Sequence, residues 1–127
     1  DVNGEMHRLS ALEGKVVLLD FWISNSHVSL MDNRELLSLY KEYHKKGFEV
    51  YQVSLDIDRA SWVDAINQQK LPWINVSSLN GVNSVAAQSY LITELPANFL
   101  IDKKGEIVGK NLYGGELKKE LAKLIKK

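Results

Sequence analysis

The chain has 127 residues, enough for one compact domain with a single hydrophobic core. Its composition, 45% hydrophobic and 25% charged, is that of an ordinary globular domain, and 16 basic residues balance 16 acidic ones. A neutral chain has no global field that favours nucleic acid or an anionic membrane, and no stretch approaches the ~20 apolar residues of a membrane span. The absence of cysteine excludes disulfides, thiolate metal sites and cysteine nucleophiles within this chain.

The first half of the chain predicts a strand, a helix and a second strand. Residues 5–9 fit a short edge strand, and residues 16–23 form a nearly continuous apolar run, typical of a strand buried on both faces. Apolar residues at helical spacing then predict an amphipathic helix over residues 26–46, which Gly47 ends. Residues 48–55 alternate in polarity like another strand. Two strands joined in this way through a helix should run parallel.

The second half predicts further helices and a hairpin. Asp58 is a suitable N-cap for a helix with Trp62 on its apolar face, and residues 71–83 read as a loop. The other predicted elements are a helix over residues 84–90, strands over 97–101 and 106–111 joined by a turn at Gly105, and a last helix that begins near Gly115. This order predicts one α/β domain over residues 1–127, with a central mixed β-sheet flanked by helices on both faces.

Two segments carry a resemblance to a known family. Residues 9–22, L-S-A-L-E-G-K-V-V-L-L-D-F-W, and residues 87–107, A-Q-S-Y-L-I-T-E-L-P-A-N-F-L-I-D-K-K-G-E-I, are similar to the matching stretches of TlpA/ResA-type thiol-disulfide oxidoreductases of bacterial envelopes. The resemblance covers nearly the whole chain and implies a thioredoxin-like fold and an extracytoplasmic location, periplasmic or anchored to the envelope. Family members carry a further stretch before the position of Asp1, so we expect this chain to be part of a longer protein.

The resemblance places the family's active site at the start of the first long helix. Family members have a Cys-x-x-Cys motif there, and Ser26 and Ser29 occupy its two cysteine positions. Thiol–disulfide exchange needs one thiolate that attacks a disulfide and a second thiol that resolves the mixed disulfide. This chain has neither thiol, so the sequence leaves open whether it is an enzyme. Ser26 is better suited to cap the helix, through hydrogen bonds from backbone N–H groups.

Other candidate site residues also follow from the resemblance. Asp20 matches the family's buried acid, which lies beneath the second cysteine and relays the proton of its thiol; without that cysteine Asp20 is interpreted as a remnant or a hydrogen-bond partner. Pro96, preceded by Leu95, matches the family's cis-proline, in a loop whose backbone pairs with an extended partner peptide. We therefore predict a peptide-binding site formed by Leu95, Pro96 and His27. The simpler alternative is that the Pro96 turn only joins a helix to a strand.

Two functions are compatible with these residues. The first is a redox-inactive domain that binds a protein or an extended peptide, favoured because Asn25, His27, Val28 and Leu30 also depart from the family pattern. The second is an active thiol-disulfide oxidoreductase in which serine has been placed at both cysteine positions. Neither function requires a cofactor, and the three histidines lack the spacing of metal ligands.

Overall fold

A computed structural model describes residue 12 and residues 14–24, 27–77 and 97–125, with backbone only at residues 27–29. Its strands are β1 (Val16–Trp22), β2 (Phe48–Ser54), β3 (Ile74–Val76), β4 (Ala97–Ile101) and β5 (Ile107–Lys110), and its helices are α1 (His27–Tyr43), α2 (Arg59–Gln69) and α3 (Gly114–Ile125). The strand predicted at residues 5–9 and the helix predicted at residues 84–90 lie outside the described residues.

The described strands form a mixed sheet in the order β3-β2-β1-β4-β5. Strand β1 is parallel to β2, which is parallel to β3, whereas β4 runs antiparallel to both β1 and β5. Strand β1 therefore has a neighbour on each side, and all seven of its residues are buried. This position explains its continuous apolar run, and the parallel β1–α1–β2 unit confirms the prediction.

The three described helices contribute to one apolar cluster on one face of the sheet. Alternate residues of β1, including Val16, Leu18 and Trp22, point into this cluster, while Val17, Leu19 and Phe21 belong to a second cluster on the other face. The helical members of the first cluster are Leu36, Leu39, Tyr40 and Tyr43 of α1, Trp62 and Ala65 of α2, and Leu117 and Leu121 of α3. No helix among the described residues is long and apolar enough to cross a membrane.

The helix boundaries follow the local signals in the sequence. Helix α1 continues into a short 3-10 turn, His44–Lys46, and ends at Gly47, whose φ of 99° suits glycine. Asp58 caps α2 as predicted, because its carboxylate accepts hydrogen bonds from the backbone N–H of Ser61 at 3.2 Å and from the Ser61 hydroxyl at 2.6 Å.

The prediction of an uninterrupted loop over residues 71–83 is wrong, because β3 (Ile74–Val76) lies within it. This short strand pairs with β2 and is preceded by Trp73, whose ring is buried. The three-residue strand contains Asn75, which is poorly represented in strands, so local preference gave no signal. The Asn75 amide instead donates hydrogen bonds to the carbonyls of Leu71 at 3.3 Å and Trp73 at 3.1 Å, which shapes the bend before the strand.

A buried asparagine joins β4 to the segment that enters α3. The side chain of Asn98 donates to the carbonyl oxygen of Leu112 at 2.8 Å and accepts from its N–H at 2.9 Å. The backbone N–H of Asn98 donates to Asn111 Oδ1 at 3.2 Å, and the Asn111 N–H donates back to the Asn98 carbonyl at 2.8 Å. Asn98 is 1% exposed, so the polar atoms of its side chain depend on these partners and not on water.

Replacing Asn98 with alanine should therefore destabilise the domain. We expect a loss of about 1–3 kcal/mol in the free energy of unfolding, because both backbone groups of Leu112, which is partly buried, lose their hydrogen-bond partner. Urea denaturation followed by circular dichroism measures this change in the free energy of unfolding. The matched control is Asn67→Ala at an exposed position of α2, which should change stability by less than about 0.5 kcal/mol. Equal stabilities for the two variants would contradict this role for Asn98.

Candidate functional site

Four polar residues lie side by side across the middle of the sheet. Asp20 of β1 is in register with Gln52 of β2 and with Asn98 of β4, and Gln52 is in register with Asn75 of β3. All four side chains are buried. Residues in register point to the same face of a sheet. Asp20 lies two residues from Leu18 and two from Trp22 along β1, so it points to the same face as these members of the helix-covered cluster. The polar row therefore lies beneath the helices.

Gln52 is the centre of the hydrogen-bond network in this row. Its Nε2 donates to Asp20 Oδ2 at 2.9 Å and to Asn33 Oδ1 at 2.7 Å, while its Oε1 accepts from the indole N–H of Trp73 at 2.8 Å. Both amide hydrogens and the carbonyl oxygen are thereby used, as a fully buried glutamine requires. The network fixes the carboxyl group of Asp20 from one side.

The network continues from Asn33 to the surface between α1 and α2. The amide of Asn33 donates to Gln69 Oε1 at 2.9 Å, and the amide of Gln69 donates to the carbonyl oxygen of Leu30 at 2.8 Å. A chain of side-chain amides thus connects the buried carboxyl group of Asp20 to the first turns of α1 and the last turn of α2.

The environment of Asp20 favours the protonated carboxyl group. Burial raises the pKa of Asp20 from 3.8 to about 7, the hydrogen bond from Gln52 opposes this rise, and the negative charge of Asp32 adds to it. On the side of α1 and α3, Asp20, Asp32 and Tyr113 line a small cavity of about 20 Å³. Among the described residues, neither Asp32 Oδ2 nor the Tyr113 hydroxyl has a hydrogen-bond partner.

The same cluster affects the other two groups. Burial raises the pKa of Tyr113, and the negative charges of Asp20 and Asp32 raise it further. Burial also raises the pKa of Asp32, with a contribution from the charge of Glu35. Negative charges on these groups repel one another. Protonation of Asp20 removes the repulsion that its carboxylate exerts on Tyr113 and Asp32.

A second network fixes the chain where it leaves β1 towards α1. The backbone N–H and the hydroxyl of Ser24 donate to Asp56 Oδ1 at 3.1 and 2.7 Å. The hydroxyl of Ser54 donates to the other carboxylate oxygen of Asp56 at 2.5 Å. The ends of the parallel strands β1 and β2 are therefore tied together two residues before Ser26.

The structure tests only part of the predicted site. Asp20 is buried beneath α1, and His27 and Ser29 lie in the first turn of α1, where only their backbone is described. Ser26, Leu95 and Pro96 lie outside the described residues, so the capping and peptide-binding roles remain predictions. No group of three or more His, Asp or Glu residues in the described ranges is arranged to hold a metal ion.

The sequence analysis missed the partners of Asp20. Gln52 looked like an ordinary polar position in an alternating strand, and Trp73 was assigned to a loop without a contact. The register of β1 with β2 was the signal that could have linked Asp20 to Gln52. For Asn33 and Tyr113 the sequence contained no comparable signal, because their positions depend on how α1 and α3 pack.

Replacing Asp20 with asparagine should change how stability depends on pH. The pKa of about 7 in the folded protein exceeds the ordinary value of 3.8, so the folded state binds this proton more tightly than the unfolded state does. The resulting stabilisation is complete below about pH 4 and is lost as the pH rises through 7. A rise from 3.8 to about 7 corresponds to on the order of 4 kcal/mol.

We therefore expect Asp20→Asn to be more stable than the parent at pH 8, by about 2–4 kcal/mol, and nearly equal to it at pH 4. Urea denaturation at intervals between pH 4 and pH 8 measures the difference. Asp64→Asn, at an exposed position, is the control and should follow the parent profile. Parallel profiles for Asp20→Asn and the parent would show that Asp20 ionises as readily in the fold as in the unfolded chain.

Comparisons with known proteins agree with this architecture. The sequence profile of the thioredoxin-like family matches residues 14–107. The thiol-disulfide oxidoreductase ResA of Halalkalibacterium halodurans is 30% identical over 128 aligned positions, which cover 99% of this chain and 71% of that protein.

Solved structures give the same result. The thioredoxin domain of a thiol-disulfide oxidoreductase from Bacteroides vulgatus superposes with a TM-score of 0.91 and 32% identity, covering 98% of this chain and 89% of that one. A thiol-disulfide oxidoreductase from Bacteroides fragilis gives a TM-score of 0.82 and 37% identity, with 88% and 82% covered. The predicted thioredoxin-like fold is therefore confirmed. The chain belongs to the thioredoxin-like family, and its homologues there include ResA thiol-disulfide oxidoreductases.

Proposed function

We propose that this domain is a redox-inactive member of its family that binds a protein or an extended peptide beside the N-terminal end of α1. The observation that carries the proposal is the absence of cysteine from all 127 residues, in a chain that keeps the fold and the buried acid. Serine occupies both positions that hold the family's cysteines, Ser26 and Ser29.

Serine cannot replace cysteine in this chemistry. A thiol at a helix N-terminus becomes a thiolate near neutral pH, whereas a serine hydroxyl stays protonated and has no sulfur to exchange. A serine nucleophile would also need a positioned base. Within the described part of the chain, Ser24, two residues before Ser26, donates its hydroxyl to Asp56. This hydrogen bond connects the ends of two strands and has a structural role.

Peptide binding does not depend on sulfur. An extended peptide is held mainly by main-chain hydrogen bonds, with side-chain pockets that add specificity. The proposal assigns the backbone around Leu95 and Pro96 to this pairing and His27 to the rim of the site. The hydrogen bonds from Ser24 to Asp56 support it, because they fix the end of β1 next to the proposed site and so lower the conformational entropy that binding would lose there. We place the domain outside the cytoplasm, as its resemblance to envelope proteins implies.

A selection followed by NMR tests the proposed function. We expect peptides selected from a random 12-residue phage library against the immobilised domain to shift amide signals in ¹⁵N spectra near Ser26 and Pro96. Ala97 and Asn98 are reporters next to the loop. Pro96→Ala should weaken the binding, because its backbone is freer to leave the paired conformation. Shifts only at distant positions, or no shifts at all, would contradict binding at this site.

The alternative function, an active oxidoreductase carrying serine at both cysteine positions, has one observation in its favour. Asp20, the family's proton-relaying acid, is still buried beneath α1, and burial raises its pKa to about 7. If that acid still serves catalysis, restoring both thiols should restore the reaction.

Insulin reduction separates the two functions. We expect the parent chain to show no reduction above the dithiothreitol background, and Ser26→Cys/Ser29→Cys to remain well below a cysteine-containing relative, because the neighbouring positions have also left the family pattern. Circular dichroism confirms that the double variant is folded. A double variant as fast as that relative would support the alternative and argue against the proposed function.

A further inference from the structure

A groove of about 520 Å³ runs between α1 and α2. This volume lies in the range of known small-ligand sites. The groove is separate from the small cavity beside Asp20, and it begins at Ser24, where the chain leaves β1. Its lining comes from just beyond the end of β1, from the first half of α1 and from one face of α2.

The two walls are continuous faces of the two helices. On α2 the lining residues Ser61, Asp64, Ala65 and Gln68 follow the spacing i, i+3, i+4 and i+7, which places them on one face. On α1 the lining residues occupy positions 30, 31 and 34, within one turn. The α2 wall is therefore about two turns long and faces one turn of α1.

The walls carry charges of opposite sign. Arg34 lies on the α1 wall and Asp64 on the α2 wall, and both are exposed. Within the described part of the chain, neither side chain forms a salt bridge. A guanidinium group presents a planar set of donors that matches a carboxylate, and a carboxylate accepts from an ammonium or guanidinium group. The groove can thus receive a basic and an acidic group together.

Other lining groups suit a peptide main chain. Gln68 is exposed and offers both a donor and an acceptor, which is the complement of a peptide unit. Met31 is 52% exposed, and its flexible thioether adapts to apolar side chains of different shape. Gln69 is held by Asn33 and by the Leu30 carbonyl, so the floor between the walls is already ordered.

We propose that this groove binds an extended peptide that carries an acidic and a basic side chain a few residues apart. The acidic side chain pairs with Arg34, the basic one pairs with Asp64, and the amide of Gln68 bonds the main chain between them. This inference goes beyond the proposed function, since it concerns a surface different from the one around Pro96. An apolar ligand would leave both charges desolvated and unpaired, which argues against it.

A titration with short peptides of defined charge tests the groove. The probes are acetyl-Glu-Leu-Lys-amide and its analogues with one or two alanines inserted before the lysine, and the controls replace both charged residues with glutamine. We expect at least one charged peptide to shift the amide signals of Met31, Asp64 and Gln68 in ¹⁵N spectra, and to bind more tightly than its neutral control.

Charge reversal in the protein identifies the contact. Arg34→Glu should weaken the peptide by about five- to tenfold, because attraction at one end becomes repulsion. Lys41→Glu makes the same change in net charge at an exposed position of α1 outside the groove, and should change affinity by less than about twofold. Both positions are exposed, and dispersed ¹⁵N spectra verify that the variants are folded.

The outcomes distinguish this inference from the proposed function. Binding that shifts only residues next to Pro96, and is insensitive to Arg34→Glu, would overturn the groove while supporting the proposed function. If no charged peptide binds but phage-selected peptides bind at Pro96, the groove proposal is likewise overturned and the proposed function is supported. If the amide signals of the groove residues shift with protein concentration alone, the groove binds a second copy of the chain. That result would overturn the proposal that it binds a peptide. Failure of every peptide at both surfaces would contradict both proposals.

Discussion

A carboxyl group in the middle of a sheet must be hydrogen-bonded or neutral, and the interior of this domain is arranged around that constraint at Asp20. Gln52 donates to one oxygen of Asp20, Trp73 fixes the amide of Gln52, and burial keeps the proton on the acid to about pH 7. Burying a charged carboxylate costs several kcal/mol unless partners compensate. Asp20 therefore lowers the stability of the folded domain when it ionises near neutral pH.

A costly buried acid is usually retained for function. The resemblance to TlpA/ResA-type oxidoreductases implies that such an acid serves a thiol at the position of Ser29. This chain has serine there, yet Gln52 still donates to Asp20 and is itself held by Asn33 and Trp73. We infer that the network now has a mainly structural role: it connects β1, β2 and α1 through Asp20, Gln52 and Asn33. Hydrogen bonds between particular polar groups specify the arrangement of these elements more strictly than apolar contacts do.

The sequence predicted most of the sheet and helices because their signals are local. The apolar run of β1, the helical spacing of α1 and the cap at Asp58 each depend on neighbouring residues only. Strand β3 escaped prediction because it is three residues long and contains Asn75. The site was harder to predict from the sequence. The contacts of Gln52 and Trp73 depend on strand register, and the groove depends on the packing of two helices that are distant in sequence. Arg34 and Asp64 therefore looked like ordinary solvated charges.

The amide network also connects the buried acid to the proposed peptide groove. Gln69 forms part of the floor of the groove, and its partners Asn33 and the Leu30 carbonyl lie on α1. The hydrogen bonds that satisfy the buried amides therefore also set the distance between the two helices. A groove whose walls are fixed before a ligand arrives loses less conformational entropy on binding. The interactions that keep the interior polar groups paired would thus support recognition at the surface, without any contribution from sulfur chemistry.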